Sequence, residues 1–270
     1  MGRLPLFLFI TFLQISCAIA DLRTDLLING DVPADIQKKA RDLLSDPIDP
    51  SLSPLKWSKV EALEFYMVDY WNSSLVRFFT PVPEPVQAMK VRLSLNNTNM
   101  DITFTDGSQR GKIYGLENGE PFVIEDASGK VFIKDSEVKV YLESLRLYLL
   151  LPTMLHKYES LAYLGEIGLG DHFYHEIFAT NGSFEISENH DQYISYTRKD
   201  TGAIEFIQFT YRDVFDSYRG VIHYENYTLV DGKSIPMKIA ITNSLLDEDF
   251  VHQFQIGSIQ FLYKEPDYSE

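Results

Sequence analysis

A mainly antiparallel β domain of the α+β class is predicted by three features of the 270-residue chain. Apolar residues recur with period two in many short runs, Asx-Gly pairs separate those runs, and only two stretches change to helical spacing. With 45% apolar and 13% aromatic residues the chain can bury a real core. No repeat, low-complexity tract or linker divides it.

The first element, Met1 to Ala20, reads as a secretory signal: Arg3 precedes an apolar run from Leu4 to Leu13, and Ala18-Ile19-Ala20 offers a small-x-small cleavage site before Asp21. A single mature domain is therefore expected over 21–270. No later run approaches the roughly 20 apolar residues of a membrane-spanning helix, so no transmembrane span is expected. Lipid attachment at Cys17 is the alternative fate, although Leu13-Gln14-Ile15-Ser16 departs from a lipoprotein signal. Cys17 is the single cysteine, so a chain cleaved after Ala20 has no disulfide and no thiolate metal site. The formal charge is −15, one unit more negative without Arg3; a field of that sign argues against nucleic acid and anionic membranes as partners. Sequons stand at Asn72, Asn96, Asn181 and Asn226, and they carry glycans only in a eukaryotic secretory pathway.

After the signal, Asp35 to Ser45 places Ile36, Ala40, Leu43 and Leu44 at helical spacing behind Pro33, and Asp46-Pro47-Ile48-Asp49-Pro50 stops the helix. From Val60 the period becomes two, with Leu63, Phe65 and Met67 on one face. Further strands are expected at 91–95, 101–105, 112–116, 122–125 and 130–133, with turns at Asp106-Gly107, Asn118-Gly119 and Ser128-Gly129. Ser136 to Leu151 is the second helix, capped by Asp135 or Ser136, apolar nearly all round in its C-terminal half, and expected to end at Pro152. Strands resume at 173–180, 192–197, 203–211, 221–229, 237–242 and 251–261, with turns at Asp200-Thr201-Gly202 and Asp231-Gly232. Ala203 to Tyr211 carries apolar residues on both faces, so both faces must be covered.

Polar clusters offer little catalytic geometry. Asp171-His172-Phe173-Tyr174-His175-Glu176 is the densest, but histidines three apart on a strand face opposite ways and do not chelate together. Glu188, His190 and Asp191 fall in a loop between strands, where such residues serve solvation and turns. No nucleophile elbow or phosphate loop is present, and Gly165, Gly168 and Gly170 fit a bend or bulge. No cofactor, metal ligand set or catalytic residue is assigned.

Asp191-Gln192-Tyr193-Ile194, Lys199-Asp200-Thr201-Gly202, Tyr211-Arg212-Asp213 and Asp231-Gly232-Lys233-Ser234-Ile235-Pro236, in this order of helix, meander, apolar helix and meander, resemble the periplasmic lipoprotein-carrier superfamily of LolA, LolB and LppX type. The resemblance implies a LolA-like incomplete (half) β-barrel with helices closing its concave face. It also implies a non-enzymatic carrier, periplasmic or extracellular, that holds a lipid, a lipoprotein acyl chain or another apolar ligand. Leu142, Leu145 and Leu149 are the candidate lid residues, Phe206 a cavity candidate, and Arg212 a candidate for a ligand carboxylate or phosphate at the rim. Two alternatives stand beside this reading. One is a secreted hydrolase using Asp171, His172 and His175 or Glu188, His190 and Asp191; the other is a packed envelope domain that binds protein. Oligomeric state is not readable from the sequence.

Overall fold

The structure, a computed structural model, describes residues 19–28, 32–125, 129–212, 215–247 and 249–264. A short helix α1 (Asp25–Ile28) and the amphipathic α2 (Ala34–Ser45) come first, followed by two 3-10 turns at Pro50–Leu52 and Pro54–Trp57. The first meander is β1 (Val60–Trp71), a short α3 (Ser74–Phe78), then β2 (Val86–Ser94), β3 (Met100–Phe104), β4 (Ile113–Glu117), β5 (Glu120–Ile124) and β6 (Val131–Phe132). Helix α4 (Ser136–Met154) follows, and the second meander is β7 (Ser160–Leu169), β8 (His172–Thr180), β9 (Gln192–Arg198), β10 (Ile204–Tyr211), β11 (Phe215–Val230), β12 (Lys233–Thr242) and β13 (His252–Tyr263).

All 13 strands form one antiparallel sheet in the order β6-β5-β4-β3-β2-β1-β13-β12-β11-β10-β9-β8-β7. Strands β1 and β13, the first and last in the chain, pair in the middle from Val60–Tyr263 to Trp71–His252. The two sheet edges, β6 and β7, are consecutive in the chain and are joined through α4. The connecting helix therefore has to cross the sheet. Its 19 residues reach about 28 Å at 1.5 Å per residue, and the sheet wraps it, with Leu142, Leu145 and Leu151 fully buried in a core that runs from Leu116 on β4 to Ile177 on β8. The expected half-barrel with a helix across its concave face is the fold observed.

Turn chemistry sets the meander. Asn118 and Gly119 (φ 53° and 82°) and Asp231 and Gly232 (φ 49° and 72°) hold the left-handed pairs expected of tight hairpins. The residues at 126–128, including Ser128 of another expected turn, lie outside the described set. Strand β7 was not expected, because its glycines break the apolar alternation. They do so through a bulge, since the β7–β8 register shifts between Tyr163 and Gly165.

Helix α4 runs one turn past its expected end and contains Pro152. Proline at this position deprives the carbonyl four residues earlier of its helical donor. That carbonyl, Tyr148 O, instead accepts from the Tyr224 hydroxyl of β11 at 2.9 Å. The tertiary bond replaces the helical one.

The outer face of β7–β10 carries a second apolar cluster of Ala162, Tyr174, Phe178, Ile194 and Tyr196, covered by Leu22, Leu27 and Val32 of the N-terminal segment. This explains why β10 is apolar on both sides. Residues 1–18, with Cys17 and most of the expected signal, lie outside the described residues.

The core is rich in tyrosine. Burial pushes the hydroxyls of Tyr141, Tyr148, Tyr193 and Tyr224 well above the usual phenol range, the Asp69 charge adding to the effect at Tyr141, and Tyr158 is pushed up to about 12. These groups fold neutral. Their stabilisation is complete below the unfolded value near 10 and is lost as pH rises through the folded values. Tyrosinate absorbance should therefore lag behind a free-tyrosine titration and then rise together with loss of the circular dichroism signal. Smooth ionisation near pH 10 with native ellipticity would contradict this.

Candidate functional site

The interior face of the half-barrel is apolar, and α4 occupies it. Four polar ties fix the helix. Tyr141 donates to Asp69 Oδ2 at 2.8 Å, and the Ser144 and Tyr211 hydroxyls meet at 2.5 Å. Arg146 Nη1 donates to Ser94 O at 2.5 Å, and Tyr148 O accepts from Tyr224.

The first tie belongs to a buried polar network at the β1–β13 seam. Asp69 is completely buried and accepts from Trp71 Nε1 at 3.0 Å, from Tyr141, and from His252 Nε2. A carboxylate only accepts, so Nε2 carries the proton in that bond. The His252 ring stacks on Trp71 with centroids 3.5 Å apart and an interplanar angle of 14°. Sequence reasoning missed this network. Its signal was a carboxylate at an inward position, since Leu63, Phe65, Met67, Asp69 and Trp71 share one face of β1.

Where the C-terminal half of α4 meets α2 and the 3-10 turns, an apolar slot remains, with a cavity volume of about 40 Å³. Leu44, Trp57, Leu149, Ile204, Tyr227 and Ile235 line it, and Thr197 reaches it from β9. Thr197 Oγ1 is buried without a hydrogen-bond partner among the described residues. A buried hydroxyl left unpaired in apolar surroundings costs stability. The slot's wall depends on Gly202 in the Lys199–Gly202 turn, which sits at φ +81° with Pro47 and Ile48 against it. A Cβ there would come within 2.7 Å of Pro47 Cβ and 2.9 Å of Ile48 N, so glycine lets the segment after α2 lie across the rim.

Of the residues expected to bind ligand, Leu142 and Leu145 are fully buried on the core-facing side of α4, and Leu149 lines the slot. Phe206 lies on the outer face, edge-on to His223 with centroids 4.9 Å apart. Burial holds His223 below the usual imidazole range. Arg212 shares the outer side of β10. It donates from Nη1 to Asp216 O at 2.6 Å and from Nη2 to Ala20 O, while its backbone N–H donates to Asp191 Oδ1 at 2.8 Å. Its neighbour Asp213 lies outside the described residues. Arg212 thus anchors the N-terminal segment here.

The histidine clusters do not converge. His172 opens β8 and is exposed, while His190 sits in the loop beyond its far end. His175 lies between them, 3.6 Å from Glu166 Oε1 and 3.4 Å from the Tyr163 hydroxyl. Among the described residues no group of three or more His, Cys, Asp or Glu side chains is placed to hold a metal ion, and no helix is long and apolar enough to cross a membrane.

No family model matches the sequence, and no curated protein matches it. Solved structures do. A DUF1329 family protein from Desulfovibrio piger is similar at 10% identity and a TM-score of 0.53, over 84% of this chain and 93% of that one. At that identity the likeness shows the fold. A LolA superfamily protein from Nitrosomonas europaea matches at 13% identity and a TM-score of 0.48, over 88% of this chain and 96% of that one. A putative outer membrane lipoprotein-sorting protein domain from Vibrio parahaemolyticus matches at 9% identity and 0.48, over 84% and 91%.

Proposed function

We propose that this chain is an exported, non-enzymatic carrier that holds a lipid, an acylated protein or another apolar molecule in the concave face of the half-barrel, with α4 occupying the site in the closed state described here. The observation that carries the reading is the slot beside Leu149, an apolar opening onto the concave face with an unpaired Thr197 hydroxyl in its wall. At about 40 Å³ it holds no ligand as it stands, against the 300–1,000 Å³ usual for small-molecule sites. Entry requires α4 or the α2 rim to move outward, exchanging helix–sheet contacts for ligand–sheet contacts of the same apolar kind. Removal of residues 1–20 would also take away the Ala20 carbonyl that engages Arg212.

The filled interior favours a second reading, a packed domain that recognises protein through its surface. Native mass spectrometry of the protein isolated from its own secretory compartment, followed by denaturing lipid extraction, separates the two. The carrier reading predicts a stoichiometric apolar adduct that is lost in Leu149→Asp, a change at a half-buried slot position. A single adduct-free mass, unchanged after incubation with extracted lipid, supports the packed domain.

A further inference from the structure

We propose that the hairpin joining β1 to β2 is a membrane-docking tip that inserts apolar side chains into a neutral lipid surface. Helix α3 and its C-terminal cap hold Leu75, Phe78 and Phe79 in solvent at 71%, 76% and 59% exposure, with Val76 beside them, and Leu246 on the β12–β13 loop is 73% exposed. The two loops are tied at their bases, where the Asn72 and Ser73 N–H groups both donate to Val251 O, at 3.2 and 3.3 Å. Single exposed apolar residues are ordinary on a protein surface, but a group of large ones at one end marks an interaction site.

The tip is built to stay exposed. Ser73 caps α3 by accepting from Val76 N–H at 3.2 Å, Val82 plugs into the core, and the Arg77 guanidinium donates to Pro83 O. Pro81, Pro83 and Pro85 stiffen the return to β2. The apolar side chains therefore project from a fixed base and are not free to fold back onto the sheet.

Charge identifies the occupant. In a chain of net charge −15, the stretch from Asn72 to Pro83 contains no carboxylate, and its one cation, Arg77, is spent on Pro83. Glu84 follows directly, and Asp247 and Asp249 sit in the neighbouring loop. A neutral tip on an acidic body suits a zwitterionic lipid surface and opposes an anionic one. The slot beside Leu149 opens at the opposite end of the strands, since Trp71, Ile241 and His252 mark one end and Tyr227 and Pro236 the other. Docking would leave that slot facing away from the bilayer, and the tip's role is independent of whether the slot takes a ligand.

Flotation of the full chain with phosphatidylcholine vesicles tests this. Burying each Leu or Phe side chain favours the lipid by roughly ten- to a hundredfold. Wild type should float with the vesicles, and the double change Phe78→Ser and Phe79→Ser should cut partitioning at least about tenfold with an unchanged circular dichroism melt. The pair Val131→Ser and Phe132→Ser, at the exposed β6 edge, should float like wild type, and Phe78→Trp should shift its emission to the blue on vesicle addition. Wild type that stays unbound, or a tip variant that floats like wild type, overturns the proposal. A concentration-dependent dimer abolished by the tip change, without flotation, also overturns it and makes a second copy of this chain the occupant.

Discussion

Replacing Asp69 with alanine should destabilise the protein by about 3–5 kcal/mol, because it removes the shared acceptor of a buried network. The Trp71 indole N–H, the Tyr141 hydroxyl and the His252 imidazole all donate to this one carboxylate. No water-accessible surface remains at Asp69 to compensate them, and each orphaned donor pays its desolvation cost. The loss spans β1, β13 and α4 together, since the network ties the seam to the helix. Urea unfolding followed by circular dichroism reads it directly. Asp69→Asn, which keeps a carbonyl acceptor in place, should cost less than Asp69→Ala. A loss under about 1 kcal/mol in Asp69→Ala would place the network among interactions that hardly matter.

Leu145→Ala should cost about 2–5 kcal/mol, the range for a fully buried leucine whose neighbours cannot close the gap. Leu145 has no exposed surface and lies inside the sheet's wrap, whereas Leu149 is only partly buried at the slot. The same substitution at Leu149 should cost markedly less. The two readings of function then diverge in a second measurement. If α4 competes with ligand for the concave face, weakening its docking raises apolar ligand affinity while stability falls, because more of the population is open. In a packed interaction domain the stability falls alone. Equal losses at the two leucines would contradict the burial on which both readings stand.

The strands were legible because one physical cause, alternation across a half-buried sheet, dominates them. Leu63, Phe65 and Met67 face the core as their spacing predicts, and Asn118-Gly119 and Asp231-Gly232 take the positive φ angles their chemistry favours, whereas at Asp106-Gly107 only the glycine does. What escaped depends on contacts between distant residues. Pro152 ends a helix by local rules, but Tyr224, 76 positions away from Tyr148, repairs the missing bond. Strand β7 hides behind its own bulge at Gly165. The Asp69 network assembles from β1, α4 and β13, and only the inward position of one carboxylate hinted at it. Arg212 was legible as a cation at the end of an aromatic strand, but its engagement by Ala20 and Asp216 depends on where the N-terminal segment packs, which no local pattern encodes.

The central claim is that α4 occupies a site meant for an apolar ligand. Amide hydrogen exchange of the whole protein, with and without saturating oleate as the probe, tests it most directly. The account predicts that oleate binds and that exchange quickens through residues 136–154 and the 34–57 rim, while β1 and β13 keep their protection. Oleate bound with α4 as protected as before, or no oleate bound at all, would contradict it.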